Sequence, residues 1–208
     1  MLLALSLLHG AAAQATTIVF DNLDPSPSPF LYSNGGSWTG NFNANTYATT
    51  STTFVPSASG QLDELALGLT VQDIGGSTTG TLTLHDDIGG LPGNQLWQAN
   101  ASVPLVFGQL AQLTNIAGPT LNMGQTYWLT AAAPTDGFTL HGWYSNNQGD
   151  TGPIISAGNF FASTVRCSLQ VGVITVPEPT SVALSAGGAA LVVVSLRRRA
   201  GLVTRRRA

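Results

Sequence analysis

The sequence predicts an all-β protein: a β-sandwich, jelly-roll-like, followed by a single C-terminal transmembrane helix. Three observations carry this reading. Apolar and polar residues alternate with a period of two in several short runs, the pattern of strands with one buried face. Glycine and proline clusters punctuate those runs at roughly 8–15 residue spacing. Residues 180–196 form an uncharged, mostly apolar stretch that ends on Arg197-Arg198-Arg199.

At the N-terminus, Leu2–Leu8 is apolar and Ala13-Gln14-Ala15 has the small-x-small pattern of a cleavage site. Residues 1–15 therefore read as a signal peptide, with mature protein starting at Thr16. No Lys or Arg precedes the apolar stretch, so only the terminal amine is positive there. Residues 16–175 suit one domain with a real core. Ile18 and Phe20 open it, and Tyr47–Val55 adds a strand rich in Thr and aromatics. Leu65, Leu67, Leu69 and Val71 alternate with Ala66, Gly68 and Thr70. Leu82 and Leu84 alternate with Thr81, Thr83 and His85, and Val165, Cys167, Leu169, Val171 and Val173 alternate with Arg166, Ser168, Gln170 and Gly172. Turn signals fall at Pro25–Pro29, Gly75-Gly76, Gly89–Gly93, Gly118-Pro119, Pro134–Gly137 and Gly149–Pro153. No helix pattern precedes Thr180, and no repeat is present.

Charge narrows the function classes. Lysine is absent, and six of the seven arginines lie after Leu196. Within residues 16–175, Arg166 alone is basic, against nine acids. An acidic domain nearly free of cations is a poor match for nucleic acid or anionic lipid. Ion pairs can contribute little to its stability, so burial and sheet hydrogen bonds must hold it. Cys167 is the single cysteine and falls on an apolar strand face, which suits a small core residue. With one cysteine no internal disulfide can form.

No catalytic constellation emerges. His85 and His141 are the histidines left after signal cleavage, and no Gly-x-Ser-x-Gly surrounds a serine. The adjacent acids Asp63-Glu64 and Asp86-Asp87 point to opposite faces of a strand, the wrong geometry for an acid/base pair. The chain is thus expected to be no enzyme and to need no cofactor. Two binding sites come into view. Asp86 and Asp87, before Gly89-Gly90-Leu91-Pro92-Gly93, could ligate calcium, but the spacing is not an EF-hand's. The alternative is that they shape a turn. A four-residue loop at Pro134–Gly137 would set Trp128 opposite Trp143 and Thr130 opposite His141 in a hairpin. Trp128, Trp143 and His141 then form either an aromatic platform for a carbohydrate or a face covered by loops or a second layer. Tyr127, Leu129 and Ala131, on the other face, read as core.

Residues 176–208 divide into a motif at 177–179, a span at 180–196 and a basic tail at 197–208. The span's 17 residues make about 26 Å of helix, close to the roughly 30 Å of bilayer hydrocarbon. Arg197, Arg198 and Arg199 act as a cytoplasmic basic stop, and their side chains can snorkel to lipid phosphates. Two prolines around Glu178 hold an extended segment just before the span.

Val176-Pro177-Glu178-Pro179, the span and the Arg cluster together resemble a PEP-CTERM sorting signal, the tripartite tag of exported proteins in Gram-negative bacteria, many of which make exopolysaccharide. The resemblance implies recognition of Pro177, Glu178 and Pro179 by an exosortase, a membrane-embedded cysteine protease-transpeptidase that removes the tail. The body also resembles choice-of-anchor domains, the R-type above all. It does so through Phe20-Asp21-Asn22-Leu23, Leu65–Leu69, Leu84-His85-Asp86 with Gly89–Gly93, and Gln125-Thr126-Tyr127-Trp128-Leu129. That group implies an extracellular β-domain without catalytic residues. The expectation is an exported protein, anchored in the inner membrane until it is processed. It then acts at the cell surface or in the matrix, in a structural or adhesive role in an exopolysaccharide or biofilm setting. Exosortase is a transient partner, exopolysaccharide a further one, and the alternative role is a carbohydrate-binding module.

Overall fold

A computed structural model describes residues 15–23, 36–43, 46–72, 76–106, 108–135, 139–156 and 158–175. The signal-peptide residues 1–14, the motif Pro177–Pro179, the span 180–196 and Arg197–Arg199 lie outside the described residues, as does Phe138. The described part is all-β, in antiparallel sheets and with no helix. Its strands in chain order are β1 Thr16–Asp21, β2 Gly36–Asn43, β3 Thr46–Phe54, β4 Gly60–Leu67, β5 Leu69–Val71, β6 Thr79–Ile88 and β7 Leu91–Ser102. They continue with β8 Ala111–Leu113, β9 Thr120–Leu121, β10 Tyr127–Ala132, β11 Leu140–Tyr144, β12 Thr151–Ser156, β13 Asn159–Val165 and β14 Leu169–Ile174.

The smaller sheet runs β1-β14-β4-β8, with β9 also on β4. The larger runs β5-β11-β2-β3-β10-β6-β7, with β12 on β3 and β13 on β12. The two share one core. Leu62, Leu65, Leu67, Leu169, Val171 and Val173 from the smaller sheet join Leu82, Leu84, Tyr127, Leu129, Ala131 and Trp143 from the larger. Phe54 stacks on Tyr127 with ring centroids 5.7 Å apart, a contact that adds to plain area burial.

The alternating runs are strands, as read, but two of them change course. Leu65–Val71 breaks at Gly68: Leu67 pairs with Leu169 in the smaller sheet, while Leu69 pairs with Trp143 in the larger. Gly68 donates to Ser168 O and accepts from Tyr144 N, so one residue ties the corner. Val165–Val173 is likewise two strands. Arg166 N turns aside to Asp150 O, Ser168 N donates to Tyr144 O, and Cys167 bridges Ser145. In β1 a bulge between Ile18 and Phe20 puts Val19 in the core and leaves Ile18 exposed. Thr16 pairs with Ile174, so the strand entering the domain and the strand leaving it lie side by side.

The segment after Asp87 is tighter than a loop. β6 and β7 continue to a two-residue turn at Gly89-Gly90, with φ of 66° and 82°. Positive φ at both positions is the type I′ geometry whose twist matches the flanking strands.

Candidate functional site

The predicted tryptophan hairpin does not form. β10 pairs with β3 and β6, and β11 with β2 and β5. Two strands therefore separate Trp128 from Trp143, and the connection after Ala133 is a crossover. Trp128 stands between Thr53 and His85, Trp143 between Ser37 and Leu69. Thr130 faces Ser51 and Thr83, not His141.

Nor is there an exposed aromatic platform. Trp128, Trp143 and His141 are all 0% exposed. Trp143 belongs to the main core, and its indole N–H donates to Ser168 O at 2.9 Å. His141 Nε2 lies 2.9 Å from Ser77 O. Trp128 sits on the opposite face of β10 from Tyr127 and Leu129, and its Nε1–H donates to Asp87 Oδ1 at 2.7 Å. Burial of a tryptophan with its one polar atom satisfied is a structural role.

Asp86 and Asp87 shape the turn. Asp86 accepts from the backbone and side-chain amides of Asn94 through its two oxygens. Asp87 accepts from Gly90 N through Oδ2 and from Trp128 through Oδ1. Gly93 makes room, because a Cβ there would collide with Asp86 Oδ1 and the Ile88 side chain. Every carboxylate oxygen thus has a protein donor, whereas calcium requires oxygens turned toward a common centre. Among the described residues no three His, Cys, Asp or Glu side chains group as a metal site. Cys167 is buried in the core.

The larger polar feature is one that local sequence does not signal. Asn22 donates to Asp150 Oδ2 at 3.0 Å and Cys167 O at 3.2 Å, and accepts from Leu169 N at 2.7 Å. Asn146 Nδ2 reaches Asp150 O and Arg166 O, both at 2.8 Å, while its Oδ1 accepts from Gln148 N and Asp150 N. Arg166 Nη1 pairs with Asp150 Oδ1 at 3.0 Å, and Gln148 donates to Leu23 O. These bonds spend most of the polar groups on one another and on backbone, Arg166 Nε being left over, and the cluster acts as a clasp between β1, β14 and the 145–150 segment.

Neither a protein-family model nor a curated protein matches this sequence.

Away from the core, the larger sheet carries a continuous outer row. Register partners run Gln98–Thr83–Thr130–Ser51–Ile155–Phe160 across β7, β6, β10, β3, β12 and β13. Directly opposed residues share a face, so these six form one line across the sheet. None of them is charged.

Proposed function

We propose that this protein is an exported surface or matrix protein of a Gram-negative cell envelope, processed by an exosortase and structural or adhesive in role. The observation that carries the reading is the order Pro177-Glu178-Pro179, uncharged span 180–196, then Arg197-Arg198-Arg199. An arginine cluster beyond a membrane-length apolar stretch resists translocation and holds the preceding domain outside. The domain is read as a jelly-roll sandwich of choice-of-anchor type, and the span as its transmembrane helix before processing. What supports this is an all-β body with nine acids and one base in residues 16–175, its Asp86, Asp87 and Asp150 carboxylates held in turns and the clasp. Nucleic acid is not a partner on this reading, nor is catalysis the role.

The test is the mass of the protein in producing cells with and without the exosortase. Wild-type cells should yield a species lacking residues 180–208, and cells without the protease should retain the tail. Replacing Pro177 and Pro179 by Ala should block processing as deletion of the protease does. A tail that persists in both backgrounds sinks the reading.

A further inference from the structure

We infer that the outer row of the larger sheet is a binding trough for a neutral polysaccharide chain. This deepens the exported-matrix reading and rests on it for its setting, while the residues and the ligand class come from the sheet itself. Exposure rises from the middle of the row to both ends. Ser51 is 4% exposed, Thr130, Thr83 and Ile155 are half-buried, Gln98 is exposed, and Phe160 is 50% exposed. Ser51 on β3 is covered, Trp128 and Thr53 of the same face are buried along one flank, and the row opens from there toward Gln98 and Phe160.

The chemistry along it is that of sugar recognition. Ser51 Oγ and Thr130 Oγ1 are 2.8 Å apart and share one hydrogen bond. Two hydroxyls so joined still offer one O–H and three lone pairs. The Thr83 hydroxyl and the Gln98 amide have no hydrogen-bond partner within the described protein. The Thr83 and Gln98 groups thus lie open to a polyhydroxylated ligand, while buried Ser51 fixes the half-buried Thr130 hydroxyl. Phe160 closes the row with an exposed ring, beside Ile155. A ring face packs on the C–H face of a pyranose, the role that Trp128 and Trp143 are too buried to fill.

Charge selects among glycans. The row has none, and the domain around it is acidic, with Arg166 held by Asp150. Within residues 16–175 an anionic polymer would be repelled and would meet no cation but the paired Arg166. Shape selects as well. Adjacent strands rotate by roughly 20–25°, so a row across six strands is twisted through about a quarter turn or more. That surface fits a single flexible chain and not the flat face of a crystalline polymer. Strands about 4.8 Å apart offer one side chain for approximately each sugar ring laid across them.

Affinity electrophoresis of the full chain in mild detergent tests this, with gels containing hydroxyethylcellulose, galactomannan or dextran, and alginate as the anionic polymer. Retardation is expected in at least one neutral gel and, once Arg197–Arg199 and Arg205–Arg207 are replaced by Gln, not in alginate. Thr83→Val with Thr130→Val removes two hydroxyls while keeping shape and strand preference, and should weaken binding about ten-fold. Phe160→Ala should weaken it by a similar factor. Gln98→Ala, on an exposed edge, provides a variant that leaves the core untouched should the double variant unfold. Retardation by none of the neutral polymers, retardation by alginate alone, or equal retardation of wild type and folded variants overturns the trough. A chain that binds but is never processed sinks the sorting reading alone. One that is processed but binds no neutral polymer sinks this site alone.

Discussion

Asn22 shows how much one side chain can hold. It satisfies the buried Leu169 N and Cys167 O and ties both to Asp150. Asn22→Ala removes the partner of the buried Leu169 N and the bond to Cys167 O, at about 1–3 kcal/mol of stability, read as a lowered urea midpoint. Trp128 makes a gentler case. Trp128→Phe keeps most of the packing and removes the bond to Asp87, which is half-buried and can be rewetted. The expected loss is about 1 kcal/mol, against about 3–5 kcal/mol for Trp128→Ala. Asp86 and Asp87 make a different forecast. Their oxygens are engaged by Asn94, Gly90 and Trp128. Calcium titration should leave the melting temperature unchanged, and a rise would restore the metal reading.

Among the elements, glycines at close approaches matter more than glycines at turns. A Cβ at Gly60, the first residue of β4, would meet Val173 Cγ2 at 2.6 Å and Ile174 O at 2.7 Å. The backbone oxygen cannot swing away, so Gly60→Ala should cost about 1–3 kcal/mol and loosen the β4–β14 pairing. Gly90, at the tip of the β6–β7 hairpin, has open space around it and only its φ of 82° to defend. Gly90→Ala should cost about 1 kcal/mol. Chemical denaturation of the two variants, with unchanged slope, ranks them. The edge strand β7 is itself guarded. Pro92 and the register shifts opposite His85 and Asp87 break its ladder near the tip, which discourages sheet-to-sheet pairing between copies.

For the whole molecule, two sheets enclose one core, and the first and last strands of the domain, β1 and β14, pair directly. Pairing of Thr16 with Ile174 means that loss of the first strand exposes β14 as well. Deleting residues 16–21 should therefore cost far more than trimming an exposed terminus, seen as loss of cooperative melting. Much of this body was legible in the chain. The burial of Leu65, Leu67, Leu82, Leu84, Leu169, Val171 and Val173 follows from a period of two, because a strand's neighbours one residue away always face the other side. The all-β class is equally local; Gly89–Gly93 reads as a turn signal, but its two-residue hairpin at Gly89-Gly90 came only with the structure. The neighbours of β10 and β11 are not local either. A short segment after Ala133 looks like a hairpin loop, yet β2 and β3 intervene, since nothing in a loop's length states which edge the next strand will find. For the same reason Trp128, Trp143 and His141 became buried structure and Phe160 the open ring. Class, charge and strand faces were set by order along the chain, because they depend on residues a few positions apart. The clasp and the outer row were set only by folding, which brings Asn22 to Asp150 and aligns six strands from separate segments.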